Sequence, residues 1–296
     1  MYEFILTKLL LYTITEKCRI LYVTKQGYYQ WLRSKDKPYK HADLLAKIKK
    51  VLAENAENKG SYGARRVFLR IRQPEYDYTG SYSTVYRVMK ENGLLQRKKR
   101  NPNSLTKEDK AAQKSENLIK QDFESIEPNR KWLSDITEIM TADGKLYIAP
   151  VLDCFDGLIV GLAMDNNMKK ELCIEAFKQA YDRHDAYGMI FHSDRGTQYT
   201  SHKFREVLKS RGAIQSMSGT GRCYDNARME SFFATLKKEK LYKIKTEKLP
   251  METVKSIIFR WIFTYYNRKR VYTTNEGGYP PSVKRRMHEA TKQTAA

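Results

Sequence analysis

Residues 131–163 read KWLSDITEIMTADGKLYIAPVLDCFDGLIVGLA, and they contain three apolar segments separated by turn residues. The first segment, 132–139, alternates apolar and polar side chains, and the next two, 146–152 and 157–163, are nearly continuous apolar runs. Alternation and short apolar runs are typical of β-strands, whereas Gly and Asp favour the tight turns between strands. Gly144 stands at the first connection. The stretch therefore predicts a three-stranded antiparallel meander.

Helical and strand patterns alternate after the meander. They predict a helix over 170–187, a strand at 189–192, a helix at 203–211, a short strand at 213–217, and a long helix that contains Glu230. Three antiparallel strands followed by alternating helices and strands are the order of a ribonuclease-H-like core. The predicted fold class is α/β, with a mixed five-stranded sheet and flanking helices.

The residues before this core predict small all-α segments of the helix-turn-helix type. Residues 1–37 contain short helices, with Thr24 as an N-cap, and they form either a helix-turn-helix or two simply packed helices. Residues 40–96 predict a helical DNA-binding domain of three short helices. Its apolar centre is expected to consist of Val67, Ile71, Val85, Val88 and Met89. The cations left outside that centre are Arg65, Arg66, Arg87 and Lys90. This basic face either binds phosphate groups or is merely solvated.

Two further regions complete the expected domain organisation. Residues 97–127 are charged and poor in large apolar groups, so they predict a basic linker, with a short helix near Leu118. The catalytic core with its C-terminal helix is expected over 128–290.

The charge of the chain favours a polyanionic partner. Its 296 residues hold 55 Lys and Arg against 34 Asp and Glu, a formal net charge of +21, and the first 120 residues hold 26 against 12. A concentrated positive field attracts nucleic acid by releasing its condensed counterions. The alternative is a protein whose Lys-rich helices are simply solvated. Because 41% of the residues are hydrophobic and 12% are aromatic, general disorder is excluded.

Cysteine usage and the first residues bear on the compartment. The four cysteines form no Cys-x-x-Cys pair and have no suitably spaced histidine, so structural zinc and disulfides are not expected. Reduced thiols in the cytoplasm are the expectation. Residues 4–12 are apolar but are interrupted by Lys8 and lack a basic leader. They predict neither a signal peptide nor a membrane span.

Three carboxylates carry the expected chemistry. Asp135 lies in an otherwise apolar strand, Asp194 follows a buried strand, and Glu230 lies in the long helix. In a ribonuclease-H-like core these positions meet on one side of the sheet, where three carboxylates repel one another unless cations lie between them. Taken singly, each acid is better explained as a helix cap or a surface charge. Together they fit two-metal phosphoryl transfer.

Three sequence motifs match a known family. They are WLSDIT at 132–137, HSDRGTQY at 192–199 and YDNARMESFF at 224–233, with 35 residues between Asp194 and Glu230. In these motifs the chain resembles the transposases of bacterial insertion sequences that share the retroviral-integrase catalytic core. The resemblance is specifically to the downstream-frame product of the insertion-sequence-three family. The likeness covers nearly the whole chain.

The resemblance implies an integrase catalytic core that cleaves DNA strands and transfers them at the ends of an insertion sequence. It implies that Asp135, Asp194 and Glu230 are both the catalytic residues and the ligands of two Mg²⁺ ions, with Mn²⁺ as a substitute. Lys237, seven residues after Glu230 and on the same helix face, is expected to bind the DNA end through a phosphate or base contact. The alternative is that Lys237 is merely an exposed surface lysine. Asn226, one turn before Glu230, is expected to line the site and contact DNA, whereas Asp225 is expected to cap the helix.

The implied partners are double-stranded DNA, as terminal inverted repeats and as target, a second copy of the chain on that DNA, and the upstream-frame product of the same element. The implied location is the bacterial nucleoid, with no membrane. Two departures from the family pattern stand out. Arg228 replaces a small residue or Pro, which is expected to perturb little, and Tyr272 stands where His is usual.

Three rival functions are considered. Retroviral integrase proper carries a His-His-Cys-Cys zinc module, which this chain cannot build because its histidines lie only at 41, 184, 192, 202 and 288. A catalytically inactive, transposase-derived DNA-binding regulator is the main alternative, and the intact triad argues against it. A nuclease for RNA–DNA hybrids would not need two N-terminal DNA-binding segments.

Overall fold

The computed structural model describes residues 1–8, 11–37, 39–55, 62–96, 116–184, 186–219 and 223–295. The chain divides into two compact units, residues 1–49 and residues 50–296. This division differs from the boundaries expected from the sequence, because the helices after residue 62 belong to the same unit as the sheet.

The first unit is helical. It contains α1 (Tyr2–Thr7), α2 (Ile14–Ile20), α3 (Lys25–Ser34) and the start of α4 (Ala42–Glu54). The hydroxyl of Thr13 caps α2 in a capping box with Glu16, and the Thr24 hydroxyl accepts a hydrogen bond from the Gly27 backbone, so the predicted Thr24 cap is confirmed. Ile5 is buried in the centre of this small helical cluster.

The second unit contains the end of α4, followed by α5 (Ala64–Ile71) and α6 (Tyr82–Glu91), which pack on each other. The Ser81 hydroxyl caps α6, and Gly93, with φ of +66°, follows its C-terminal end. The apolar side chains that the sequence assigned to the centre of this domain are fully buried; they are Val67, Ile71, Val85, Val88 and Met89.

One mixed sheet organises the rest of the second unit. Its strands are β1 (Lys131–Ser134), β2 (Thr137–Thr141), β3 (Gly144–Asp153), β4 (Ile159–Asp165), β5 (Ile190–Ser193) and β6 (Ile214–Met217). β1 and β2 pair with β3 in one continuous antiparallel register, and β4 pairs with β3 as well. β5 runs parallel to β1, and β6 runs parallel to β5. Because β1 and β2 act as one interrupted strand, the predicted five-stranded mixed sheet is confirmed.

Helices cover both faces of this sheet. They are α7 (Lys170–Tyr181), α8 (Thr197–Thr200), α9 (His202–Ser210), α10 (Ala227–Glu239), α11 (Met251–Arg260) with a π-helical turn at Trp261–Tyr266, and α12 (Pro281–Ala295). Side chains alternate along β1, so Trp132 packs in the cluster with α7 and α9 whereas Leu133 packs with α10 and α11. Among the described residues, no helix is both long and apolar enough to cross a bilayer.

Two predicted elements differ from those observed. α7 ends at Tyr181 instead of near 187, because the chain turns through Gly188, with φ of +75°, before it enters β5. The predicted helix near Leu118 is wrong. The Leu118 backbone donates to the Ser216 hydroxyl, and the Met217 backbone donates to the Glu116 carbonyl, so this stretch runs beside β6 instead of forming its own helical bonds. The linker positions 97–115 lie outside the described residues.

A buried ion pair fastens α12 to the sheet. Arg285 on α12 donates from Nη2 to Asp153 Oδ2 at 2.6 Å and from Nε to Asp156 Oδ2 at 2.7 Å. Both aspartates also accept turn backbone bonds, from Phe155 and Leu158 respectively. All three charged side chains are buried, so the C-terminal helix is held by groups that are costly to separate.

Candidate active site

Asp135 lies at the break between β1 and β2, where the interrupted strand leaves the ladder. Its Oδ1 accepts a hydrogen bond from the Ile136 backbone at 2.8 Å. Burial and the negative charges of Asp194 and Glu230 raise the pKa of the Asp135 carboxyl to about 7, against the lowering effects of the Ile136 bond and the Lys237 ammonium. The predicted triad and Lys237 therefore share one electrostatic environment.

Asp194 follows β5, the parallel neighbour of β1. Leu133 is paired with His192, so Asp135 and Asp194 stand two residues further along two adjacent parallel strands. Side chains that follow the carboxyl ends of adjacent parallel strands lie at one edge of a sheet. Asp194 Oδ1 accepts from the Gly196 backbone at 3.0 Å, and burial raises the pKa of its carboxyl.

Glu230 lies in the first turn of α10, and its side chain is exposed. Within the described ranges, no three His, Cys, Asp or Glu side chains are placed to hold one metal ion together. A two-ion site does not require such a group, because Mg²⁺ is commonly bound by one or two carboxylates and keeps several waters.

Asn226 joins the N-terminus of α10 to the Asp135 strand. Its Nδ2 donates to the carbonyl of Ser134, the residue before Asp135, at 3.3 Å. Its Oδ1 is buried and has no hydrogen-bond partner among the described residues. The side chain is 5% exposed, which leaves almost none of it for a DNA contact, so the predicted contact of Asn226 with DNA gains no support from its position.

Asp225 does not cap α10, and the expectation that it does is wrong. Its Oδ2 accepts from Asn117 Nδ2 at 2.7 Å and from the Gly219 backbone at 2.8 Å, and its Oδ1 accepts from Gln121 Nε2 at 3.2 Å. No side chain caps the start of the helix. The buried carboxylate instead anchors the loop before α10 to the segment that enters the core.

His192 is a structural residue of the site that sequence reasoning did not assign. Its Nδ1 lies 2.8 Å from the Ser216 hydroxyl and its Nε2 lies 3.2 Å from the Ser218 hydroxyl. Burial lowers the pKa of the imidazole to about 4, so the ring is neutral at neutral pH. It links β5 to β6 and to the loop before α10, and the only signal in the sequence is its place two residues before Asp194.

Lys237 lies on α10 beside the carboxylates. It is half-buried; burial lowers the pKa of its ammonium, while the charges of Glu138 and Asp135 raise it. Lys237 was expected to lie on the same face of α10 as Glu230. The charges of both residues act on Asp135, which agrees with that expectation. Its contact with DNA stays a prediction.

The predicted basic face of 40–96 divides into two groups. Arg65, Arg87 and Lys90 are exposed. Arg66 was expected to lie outside the apolar centre of the domain. Instead, its Nη1 pairs with Glu239 of α10 at 2.7 Å and its side chain is partly buried. Arg66 therefore fastens α5 to the core.

The chain matches known families and proteins over most of its length. Residues 40–102 match the HTH-like domain and residues 126–223 match the Integrase core domain. Transposase InsF for insertion sequence IS3A of Escherichia coli K12 is 32% identical, over 88% of this chain and 89% of that protein. The transposase for insertion sequence element IS904 of Lactococcus lactis is 38% identical, over 78% of this chain and 88% of that protein.

Solved structures of integrases resemble the chain more distantly. The HTLV-2 integrase catalytic core domain in complex with magnesium overlaps 53% of this chain and 95% of its own, with 22% identity and a TM-score of 0.40. The relatives named above decide the family, because they exceed 30% identity over nearly their whole lengths. The protein belongs to the IS3 family of insertion-sequence transposases.

Proposed function

We propose that this protein cleaves and joins DNA strands at the ends of an insertion sequence by phosphoryl transfer that depends on divalent metal ions. The observation that carries the proposal is the position of Asp135 and Asp194 after two adjacent parallel strands, with Glu230 acting on the same site. Like charges gathered in a buried place are the arrangement that a bound cation stabilises. Membership in a family of transposases supplies the reaction class.

The residues present fit a hard divalent cation. Asp135, Asp194 and Glu230 offer only oxygen ligands, which Mg²⁺ prefers, and Mn²⁺ accepts the same set. The buried Asn226 Oδ1 adds an oxygen without a hydrogen-bond partner, beside the residue before Asp135. Two Mg²⁺ ions, when bound, would stabilise the attacking and the leaving oxygens of the phosphate.

The remaining residues of the site orient these ligands. The Gly196 backbone fixes Asp194, and the Ile136 backbone fixes Asp135. Asn226 holds the start of α10 against the Asp135 strand, which sets the distance of Glu230 from the aspartates. Lys237 places a half-buried ammonium next to the carboxylates, where it would contact a phosphate or a terminal base of the DNA.

The proposed substrate is double-stranded DNA, as terminal inverted repeats and as target. Arg65, Arg87 and Lys90 are its proposed contacts in the helix-turn-helix-type domain, because they are exposed cations on neighbouring helices. We include in the proposal assembly of several copies on the DNA, cooperation with the upstream-frame product, and a place at the bacterial nucleoid. The family resemblance is what supports these three points.

A strand-transfer assay tests the proposal. The full chain is incubated with an oligonucleotide that carries its own terminal repeat, in Mg²⁺, with and without the upstream-frame product. Asp135→Asn, Asp194→Asn and Glu230→Gln are each expected to abolish cleavage and joining while DNA binding persists.

Glu175→Gln is the matched control, because Glu175 is an exposed residue of α7 that accepts one bond from Gln179. Near-normal joining by any of the three site variants would refute the assignment at that position. A wild-type protein that binds the repeats in both arms and joins them in neither would instead be the inactive regulator.

A further inference from the structure

A polar cavity lies on a different side of α10 from Glu230. It has a volume of about 140 Å³ and is lined by three arginines and several hydroxyl groups. Arg66 comes from α5, Arg228 from α10, and Arg270 from the turn after the π-helical segment. Ser231 and Thr235 stand on the same helix as Arg228, at spacings of three and four residues that form one face.

The charges around this cavity do not balance. Arg270 donates to both oxygens of Glu239, at 2.9 Å and 2.8 Å, and Arg66 donates to one of them at 2.7 Å. Arg228 donates instead from Nη1 to the carbonyl oxygens of Phe123 and Cys154, at 2.8 Å and 2.6 Å, and from Nη2 to the Tyr272 hydroxyl at 3.5 Å. Within the described part of the chain it forms no ion pair. In the part of the chain that the structure describes, Arg66 and Arg270 therefore share the Glu239 carboxylate, and Arg228 has no carboxylate of its own.

Three of the hydroxyl groups that line the cavity are also able to donate to a ligand. Ser231, Thr235 and Thr273 make no side-chain hydrogen bond to any residue that the structure describes. Guanidinium and hydroxyl donors that converge on one space are the groups that bind tetrahedral oxyanions. A volume of about 140 Å³ leaves room for a phosphate group.

We propose that this cavity binds a phosphate group through Arg228, Ser231 and Thr235. In the proposed function, on which this last step rests, the phosphate belongs to the backbone of the bound DNA. Ser231 directly follows Glu230, and Arg66 directly follows the exposed Arg65, so the cavity lies between the two parts of the chain that are proposed to touch DNA. A backbone phosphate seated there would hold the duplex to the helix of Glu230 without ligating metal.

Thr235→Glu tests the site because it adds a carboxylate where the phosphate would bind. The variant should unfold at a higher temperature than wild type in phosphate-free buffer, since the new charge neutralises the excess of arginine. Added inorganic phosphate, at constant ionic strength with chloride as the reference anion, should raise the Tm of wild type in a saturable manner and should not raise that of the variant.

Thr235→Gln is the matched control, because glutamine has nearly the same size as glutamate but carries no charge. It should show neither the rise in Tm nor the complete loss of the phosphate response. An equal phosphate response in Thr235→Glu and wild type would overturn the proposal, and so would a Thr235→Glu variant that is no more stable than Thr235→Gln.

Duplex DNA carrying the terminal repeat decides the source of the phosphate. Thr235→Glu should weaken DNA binding about 10-fold relative to Thr235→Gln, and it should reduce the slope of log K against log salt by about 0.9, the value for one phosphate contact. If the response to inorganic phosphate is lost and DNA binding is unchanged, the site takes free phosphate and the DNA assignment is overturned. The inorganic phosphate arm does not involve DNA, so its outcome is independent of whether the protein joins strands.

Discussion

Asp135 and Asp194 occupy equivalent positions on two neighbouring parallel strands. Leu133 pairs with His192, and Asp135 and Asp194 each lie two residues after one member of this pair. Burial, and then the negative charge of Asp194, raise the pKa of the Asp135 carboxyl to about 7. Keeping both carboxylates ionised at this edge costs free energy, and a divalent cation would offset that cost.

Asp135→Asn should therefore change stability in opposite directions with and without metal. In EDTA the variant should be more stable than wild type, because it carries one buried negative charge fewer. In excess MgCl₂ the wild type should gain stability and the variant should gain much less. Thermal unfolding at pH 7.5 measures both, and 1 kcal/mol corresponds to roughly 2–4 °C in a domain of this size. Equal Mg²⁺ shifts in the two proteins would show that Asp135 is not a ligand.

Lys237→Ala should lower end binding and joining without lowering Mg²⁺ affinity. The ammonium is half-buried beside Asp135, where it can reach a phosphate but repels a metal ion. Lys240→Ala is the comparison, because Lys240 is the residue at which α10 ends. Both variants are assayed on the same terminal-repeat oligonucleotide at low and moderate salt. Equal losses in the two would mean that Lys237 belongs to a diffuse basic surface.

Arg65→Gln together with Lys90→Gln should weaken binding to duplex DNA and make it less dependent on salt. Each lost phosphate contact should make the negative slope of log K against log salt shallower by about 0.9. The control is Lys178→Gln with Lys209→Gln, two exposed cations on α7 and α9. An identical slope for the two double variants would argue against the proposed DNA face. Deletion of the first 100 residues is a poorer test, because it also removes the Arg66 partner of Glu239.

Glu239→Gln should destabilise the fold by about 3 kcal/mol. The substitution leaves the buried Arg270 and the partly buried Arg66 without their shared carboxylate, and breaking a buried pair costs about 3–5 kcal/mol. Denaturant unfolding measures the loss, with Glu175→Gln expected to stay within about 0.5 kcal/mol of wild type as a surface change. A Glu239→Gln protein as stable as wild type would show that the pair contributes no net stability.

Arg285→Met should cost a similar amount, because it leaves Asp153 and Asp156 buried without a cation. Arg286→Met is its matched control, one residue along α12 and exposed. Urea unfolding of the two variants should differ by about 3 kcal/mol or more. If both variants were equally stable, α12 would be held by its apolar contacts alone.

The sequence was sufficient for the parts of this fold that depend on local pattern. Period-two alternation at 132–139 and the apolar runs after it predicted the three antiparallel strands, although Asp135 was expected inside the first strand and lies at the break between β1 and β2. Spacing along one helix placed Lys237 on the side of Glu230. These inferences hold because side-chain direction in a strand or helix follows from residue number alone.

Contacts between distant residues could not be predicted in the same way. Arg66 and Glu239 are 173 positions apart, and no local pattern indicates that an arginine of α5 pairs with a glutamate of α10. Asp225 was assigned to its own helix, whereas both of its side-chain partners, Asn117 and Gln121, lie more than 100 positions earlier. Arg228 was expected to perturb little, but it is held by two carbonyl oxygens from different segments.

The Asp225 carboxylate has a mechanical consequence. Asn117 and Gln121, at the point where the chain enters the core, both donate hydrogen bonds to this carboxylate, and Asp225 directly precedes Asn226 and α10. A displacement of the entering segment would therefore be transmitted to the start of α10 through the Asp225 carboxylate and through the bond from Arg228 to the Phe123 carbonyl. The distance between Glu230 and the two aspartates would then respond to how the preceding part of the chain is held.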